Sequence, residues 1–240
     1  MRLAEERSST FQLLQQNPPV ALLPVGTVEA HGMHCPLGTD TLIPEHLAAR
    51  AEALKPELLL ILPPVAYGHS WDLGVYPGTL DVAPETLAAY VSDIGRSLVR
   101  WGVRDIILLN GHGGNVSSLS IAAEHIAEAG GRVALVSWWL DYSRQILTVT
   151  DGQGHAGEDE TSVMLAVNEK LVNMAEAGVN WSHPIARIRE LNIGLKSLRG
   201  AVTGDATLAT REKGERIVDL VAQELVTLAV RLKSGDYMEG

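Results

Sequence analysis

The chain has little of several features that define other classes of protein. Its 240 residues include one cysteine, Cys35, which excludes an internal disulfide framework and is typical of a reducing compartment. Lys and Arg number 19 against 29 Asp and Glu, and the net charge of −10 argues against a surface that neutralises nucleic-acid phosphates. No apolar run reaches the roughly twenty residues of a membrane span, and the polar N-terminus does not resemble a signal peptide. We therefore expect a cytoplasmic protein that associates with neither membranes nor nucleic acid.

What is present is alternation of short apolar runs with helical periodicity, in a chain that is 46% hydrophobic. Strands are predicted over 19–26, 57–68, 105–110 and 132–140, and helices over 41–54, 84–101, 116–129, 160–170 and 212–233. Nearly continuous apolar runs are typical of strands buried on both faces of a parallel sheet. The alternation predicts an α/β fold with a parallel or mostly parallel sheet flanked by helices, as one domain over 1–240. Segment 173–198 has no clear pattern, and 200–214 is loop-like.

Acidic and histidine side chains form three clusters, each after a predicted strand. The clusters are Glu29, His31 and Asp40; His112 within NGHGGN; and His155, Glu158 and Glu160. Ligands of parallel α/β sheets bind beyond the carboxyl ends of the strands. We therefore expect the three clusters to meet at one edge of the sheet.

The composition of the clusters predicts a metal site. Imidazoles mixed with carboxylates suit zinc, iron(II), manganese or cobalt, whereas a purely structural zinc site prefers thiolates. Glu29 and His31 are two residues apart, so an extended segment turns both to the same side. Asp40 is the candidate bridge between two cations, which would polarise an amide carbonyl and supply hydroxide near neutral pH. Cys35 is considered as a thiolate ligand or nucleophile, with a small buried hydrophobe as the alternative.

Aromatic and glycine residues near the clusters are candidates for a substrate pocket. The predicted substrate-binding residues are His69, Trp71, Tyr76, Gly113 and Trp139. The alternative for the tryptophans is a place in the core or in a subunit interface. The glycines of NGHGGN are interpreted as letting the backbone pass close to a ligand. A tight turn or a phosphate loop is the alternative, although the P-loop lysine and the GxGxxG spacing are absent.

Three strings, PVGTVEAHGMHCPLGTD, NGHGGN and HAGEDETS, together resemble the creatininase (creatinine amidohydrolase) family, from about residue 20 to about residue 204. The resemblance implies a three-layer α/β/α fold and a homohexamer. It also implies a two-metal hydrolase of C–N bonds in a small cyclic amide, a formamide or a similar non-peptide amide. The family includes a formamide-cleaving deformylase and a peptidase that trims a redox-cofactor precursor. Peptidase activity is therefore the alternative.

The resemblance assigns roles to individual residues of this chain. Glu29 and His112 match ligands of one metal, His31 matches a ligand of the other, Asp40 matches the bridging carboxylate, and His155 matches a histidine near the substrate. Creatininase carries a tyrosine and a metal-binding glutamate after the NGH histidine, where this chain has Gly113 and Gly114. This departure argues against creatinine as the substrate and leaves one metal short of a carboxylate.

The third cluster supplies candidates for the missing carboxylate. Glu160 is the preferred ligand and Glu158 the preferred acid or base, and the reverse order stays open. The resulting hypothesis is attack on an amide carbonyl by metal-bound hydroxide, with Glu158 or His155 protonating the leaving nitrogen. Zinc is the preferred metal, with manganese and iron as alternatives. A metal-binding protein without catalytic activity and a nucleotide-binding protein are the rival classes.

Overall fold

The computed structural model describes residues 1–186 and 188–238, and its centre is a four-stranded parallel sheet. The strands are β1 (Val20–Val25), β2 (Leu59–Ile61), β3 (Asp105–Asn110) and β4 (Arg132–Ser137), in the spatial order β2-β1-β3-β4. A separate antiparallel pair joins β5 (Val179–Asn180) to β6 (Gly204–Asp205). The predicted α/β class with a mostly parallel sheet is confirmed.

The helices are α1 (Ser8–Leu14), α2 (Thr39–Leu54), α3 (Pro84–Arg100), α4 (Val116–Glu128), α5 (Trp138–Asp141), α6 (Ser143–Ile146), α7 (Glu158–Asn168), α8 (Gly194–Ser197) and α9 (Arg211–Ser234). Within the two described stretches of the chain, no helix combines the length and the apolar composition needed to cross a bilayer.

Both faces of the sheet are covered, because successive side chains of each strand point to opposite sides. On β1, Leu22 packs into a core with α2, α7 and α9, whereas Leu23 packs into a second core with α3 and α4. Ile107 and Leu108 divide β3 in the same way. The result is the predicted helix–sheet–helix layering. Each of these fully buried leucines contributes about 1.5–3 kcal/mol by leaving water.

Three strands end at the same level of the sheet. Val25 is in register with Asn110, and Asn110 is in register with Ser137. The loops that follow β1, β3 and β4 therefore leave the sheet side by side, and the predicted clusters lie in or beyond these loops.

Two predicted strands are shorter than expected. β2 ends at Ile61, before Pro63 and Pro64, which have no N–H to continue the ladder. β4 ends at Ser137, because the Asp141 carboxylate accepts the Ser137 N–H at 2.7 Å and closes a helical turn. The loop-like segment 200–214 contains β6 and the first residues of α9.

Candidate metal centre

The candidate site lies where the loops after β1 and β3 meet the first turns of α2 and α7. Asp40 stands in the first turn of α2 and Glu160 in that of α7. Carboxylates are stabilised there by the positive end of the helix dipole. Gly111 permits the meeting, since a Cβ atom at this position would lie 2.0 Å from the Asp40 carbonyl oxygen. The end of β3 can therefore rest directly on α2, which brings His112 to Asp40.

One group of ligand atoms consists of Glu29, Asp40 and His112. His112 Nδ1 lies 3.1 Å from Glu29 Oε1 and 3.1 Å from Asp40 Oδ2. The Glu29 and Asp40 side chains are almost completely buried. Two carboxylate oxygens and one ring nitrogen thus converge on one point.

A second group consists of His31, Asp40 and Glu160. His31 Nε2 lies 2.9 Å from Asp40 Oδ1 and 3.5 Å from Glu160 Oε2. Asp40 therefore belongs to both groups and turns one oxygen toward each. Glu160 joins the His31 group and gives it a second carboxylate beside the shared Asp40.

His155 lies between the two groups. Its Nδ1 is 3.7 Å from Glu29 Oε1, and its ring centroid is 4.3 Å from that of His31. Glu29, His31 and His155 form a third set of atoms close enough to share one ion.

Backbone carbonyls hold all three histidines in one orientation. The remote ring nitrogens of His31, His112 and His155 lie within hydrogen-bond distance of the carbonyl oxygens of Glu29, His69 and Ala30, at 3.2, 2.9 and 2.9 Å. A carbonyl can only accept, so in the neutral rings the proton sits on these nitrogens. The other nitrogen of each ring then presents a lone pair to the cluster. This is how metal-binding histidines are oriented in proteins.

The buried polar atoms of the cluster fit a bound cation. Among the described residues, Glu29 Oε1, His31 Nε2 and Asp40 Oδ2 are buried and make no hydrogen bond of acceptable geometry. An unsatisfied buried polar atom costs about 1–3 kcal/mol, so three in one place favour a bound cation. The donor set of nitrogen and oxygen atoms suits a divalent transition metal.

The ionisation of the cluster follows from its crowding. Burial opposes protonation of His31, but Asp40, Glu160 and Glu29 raise its pKa to about 10. Burial likewise opposes ionisation of Asp40, but His31 and His112 hold its pKa well below the usual range. Burial, together with the neighbouring His31, lowers the pKa of His155 to about 3. His155 is therefore neutral, whereas burial raises the pKa of Glu29 and raises that of Glu160 well above its usual value.

Side chains outside the predicted set support the cluster. Ser70 Oγ donates to Glu29 Oε2, and the Ala156 N–H donates to Glu160 Oε2 at 2.7 Å. Asp159 accepts the Gly154 N–H at 3.0 Å and a Gln153 amide N–H at 3.2 Å, which fixes the loop before α7. The sequence offered no signal for Ser70, because an isolated serine has many ordinary roles.

The structure does not bring Glu158 to the cluster. Its buried carboxylate accepts the N–H groups of Asp151 and Gly152, at 2.9 and 3.0 Å, and pairs with Lys213 Nζ at 2.5 Å. These contacts connect the loop before α7 to α9. The expected acid or base role of Glu158 has no geometric support, because Glu158 does not line the cavity beside the cluster.

A cavity of about 460 Å³ opens onto the cluster. Asp40, His112, His155 and Glu160 line its inner part, and the predicted substrate-binding residues His69, Trp71, Gly113 and Trp139 line its other walls. Tyr76 is not among the lining residues. Its hydroxyl donates to the Leu198 carbonyl oxygen at 2.6 Å, which turns the side chain toward the loop that contains Leu198. The Asp72–Arg189 pair also lines the cavity, and Arg189 lies in segment 173–198, which has no clear sequence pattern.

The two glycines that follow His112 have different roles: Gly114 allows a close backbone contact, and Gly113 borders the cavity. A Cβ atom at Gly114 would lie 2.0 Å from the His69 carbonyl oxygen, which is the acceptor for His112. At Gly113, a Cβ atom would meet only the Trp139 ring, at 4.0 Å. Gly113 thus leaves the cavity wall open, whereas Gly114 holds two loops together.

Cys35 stands apart from the ligand atoms. Its Sγ lies 3.8 Å from Thr161 Oγ1, and burial raises the pKa of the thiol to about 12. Among the described residues, Cys35 belongs to none of the groups of atoms close enough to share an ion, so its alternative role as a ligand has no support, and burial of the thiol disfavours the nucleophilic thiolate.

Histidine and carboxylate side chains that meet at the carboxyl edge of a parallel α/β sheet are typical of metal-dependent hydrolases. The family model described as creatinine amidohydrolase matches residues 4–229. The chain therefore belongs to the creatininase family.

The names of individual relatives state different activities. A mycofactocin precursor peptide peptidase from Mycolicibacterium smegmatis is 36% identical over 218 residues, covering 88% of this chain and 84% of the relative. A creatinine amidohydrolase from Pseudomonas putida is 30% identical over 230 residues, covering 85% and 86%. A solved structure described as "Creatininase Mn" is 27% identical, with a TM-score of 0.82 and coverage of 96% and 97%.

Proposed function

We propose that this protein hydrolyses an amide C–N bond with two divalent metal ions. Glu29, Asp40 and His112 would hold one ion, and His31, Asp40 and Glu160 the other. Two such ions polarise a carbonyl and make a nucleophilic hydroxide available near neutral pH. The observation that carries the proposal is Asp40, whose two buried oxygens face two separate ligand groups 2.9 and 3.1 Å away.

The donor set favours zinc, with manganese or iron as alternatives. Each group contains one imidazole, which suits zinc, and two carboxylates, which manganese also accepts. The related structure described as "Creatininase Mn" supports manganese as a second candidate.

His155 is the side chain of the cavity best placed to orient the reacting groups. His155 is neutral, lines the cavity and keeps its Nδ1 lone pair beside Glu29 Oε1. Because a ring with so low a pKa is a poor proton carrier, we infer that Nδ1 instead accepts a hydrogen bond from the substrate or the attacking water and so orients it. Glu158 takes no part in this step, because its carboxylate is bonded to Lys213 and the loop before α7.

The shape of the cleft favours a peptide over a small cyclic amide. A second cavity, of about 180 Å³, shares Asp72, Gly113, Gly114 and Arg189 with the first, so the two cavities border each other at these residues. A substrate longer than one small ring fits such a cleft. The relative from M. smegmatis that is named a peptide peptidase supports the same substrate class.

A small cyclic amide is the second candidate substrate. The relative from P. putida is named a creatinine amidohydrolase, and the cavity beside the cluster, at about 460 Å³, accommodates such a molecule. Homohexameric assembly and a cytoplasmic location stay predictions of the resemblance and the composition.

Metal removal tests the proposed function. Purified protein is assayed against short peptides, creatinine, formamides and lactams before and after chelation, and again after addition of zinc, manganese or iron(II). We expect activity to disappear on chelation and to return with metal. His112→Ala should abolish both activity and full metal content, because it removes one of three ligands of an ion.

His125→Ala is the matched control, since this helical histidine contacts Ser92 at 3.2 Å and lies outside the cluster. Activity that survives both chelation and the His112→Ala change would overturn the proposal. Tight metal binding without turnover of any substrate class would instead favour the rival, a metal-binding protein without catalytic activity.

A further inference from the structure

Arg189 lies on the wall of the candidate active-site cleft, where Asp72 and Trp71 orient its guanidinium group. Its Nη1 donates to both carboxylate oxygens of Asp72, at 2.8 Å each. Its guanidinium carbon lies 5.7 Å from the centroid of the Trp71 ring. The Asp72 carboxylate and the face of the Trp71 ring together restrict the plane and direction of the Arg189 guanidinium.

The pairing with Asp72 leaves most of the guanidinium free. Among residues 1–186 and 188–238, Nε and Nη2 of Arg189 have no hydrogen-bond partner. The side chains of Arg189 and Asp72 are 48% and 41% exposed, and an exposed ion pair contributes only about 0–1 kcal/mol to stability. The pair therefore explains little of the fold, and it leaves the remaining N–H donors available to a ligand.

The position of Arg189 relates it to the substrate. Arg189 lines the cavity that contains His112, His155 and Glu160, and it also lines the adjoining cavity beyond Gly113 and Gly114. Of the described residues that line either cavity, Arg189 alone is a lysine or arginine. A substrate that reaches both cavities therefore meets the Arg189 guanidinium at their shared border.

We propose that Arg189 is a specificity-determining residue that binds a carboxylate of the substrate. The guanidinium fork matches a carboxylate in geometry and charge. The carboxylate is either the C-terminus of a peptide or the side chain of an acidic residue. The inference rests on the proposed peptide amidohydrolase function, which it deepens by naming the chemical group that selects the substrate.

Matched peptides test this inference. Metal-loaded protein is given N-acetylated tripeptides in two versions, with a C-terminal carboxylate or a C-terminal amide, and a second series that replaces internal Asp by Asn. We expect kcat/KM for the acids to exceed that for the amides by at least about tenfold, which is the effect of about 1.4 kcal/mol. The difference should reside in KM, because Arg189 contacts substrate away from the reacting bond. The series that shows the preference identifies the source of the carboxylate.

Substitutions of Arg189 test whether this residue causes the preference for acids. In Arg189→Gln, the advantage of the acids over the amides in kcat/KM should disappear through a higher KM for the acids, while the metal content stays unchanged. Arg189→Lys should restore part of the preference, since it returns the charge without the fork. Arg199→Gln is the matched control, because Arg199 is exposed and lines neither cavity.

Calorimetric binding of the same peptides to metal-loaded protein separates this inference from the proposed function. Acid-selective binding that Arg189→Gln abolishes, without any cleavage, would support the inference and overturn the peptidase activity. Equal binding of acids and amides, or an equal loss of both in Arg189→Gln, would overturn the inference whatever the activity.

Discussion

At the scale of single residues, the acids of the third cluster differ in role because their side chains leave the helix in different directions. Glu158, Asp159 and Glu160 open α7 in succession and are all buried. Successive helical residues point about 100° apart, so the three carboxylates leave the helix in different directions. Glu160 faces His31, Asp159 holds the preceding loop, and Glu158 pairs with Lys213. Composition identified the cluster, but only the helix orientation separates a ligand candidate from two structural acids.

Glutamine substitutions distinguish these roles. Glu160→Gln should lower metal affinity by tenfold or more and abolish activity, since a carboxylate ligand is lost. Glu158→Gln should keep full metal content and lower the melting temperature by about 3–12 °C, as expected for loss of one charged hydrogen bond in a chain of this size. Metal analysis and thermal unfolding of the two variants make the comparison. Loss of metal in Glu158→Gln but not in Glu160→Gln would reverse the assignment.

At the scale of whole elements, close contact between backbones decides how the site is assembled. Gly111 lets the end of β3 rest on α2, and Gly214 lets α9 rest on α7. A Cβ atom at Gly214 would lie 1.8 Å from the Ser162 carbonyl oxygen, and that oxygen belongs to backbone. The helix that carries Glu160 therefore owes its position partly to a glycine on a distant helix.

Gly214→Ala tests this contact through the sign of its effect. Alanine in place of glycine within an exposed helix stabilises by about 0.5–1 kcal/mol. At Gly214 we expect destabilisation of about 1–3 kcal/mol instead, because α9 must move away from α7. Chemical denaturation measures the change in the free energy of unfolding. Arg216→Ala, at an exposed position of the same helix, is the control and should change stability by less than about 0.5 kcal/mol. A stabilised Gly214→Ala would show that the helices are not in contact there.

At the scale of the whole molecule, the candidate metal centre joins parts that are distant in sequence. Its ligand candidates come from the loop after β1, from α2, from the loop after β3 and from α7. An unfolded chain cannot hold these side chains together, so metal would bind the folded state almost exclusively. Metal binding and folding should therefore be thermodynamically linked.

Thermal unfolding with and without metal measures this linkage. At a free metal concentration of 100 times the Kd, the folded state gains about 2.7 kcal/mol per ion, which raises the melting temperature by roughly 5–10 °C. Chelation should remove the increase. Asp40→Asn should show a much smaller metal-dependent shift, because both ligand groups lose their shared carboxylate. A melting temperature that is the same with metal, with chelator and in Asp40→Asn would contradict a metal-linked fold.

The sequence was sufficient to predict the α/β class, the four parallel strands and the meeting of three clusters at one sheet edge. These features follow from local patterns, namely apolar runs, helical periodicity and polar residues directly after strands. Exact strand ends were less predictable, because the Asp141 side chain, rather than the apolar run 132–140, terminates β4.

The tertiary structure alone decided which side chains face the cluster and which face the substrate. Tyr76 and Glu158 were expected in the site, but their polar atoms bond to loops and to Lys213. Ser70 and Arg189 had no signal in the sequence, although the structure brings both to the cluster or its cleft. Sequence patterns report residue type and spacing along one element, whereas side-chain direction and contacts between distant elements depend on the packing of the complete fold.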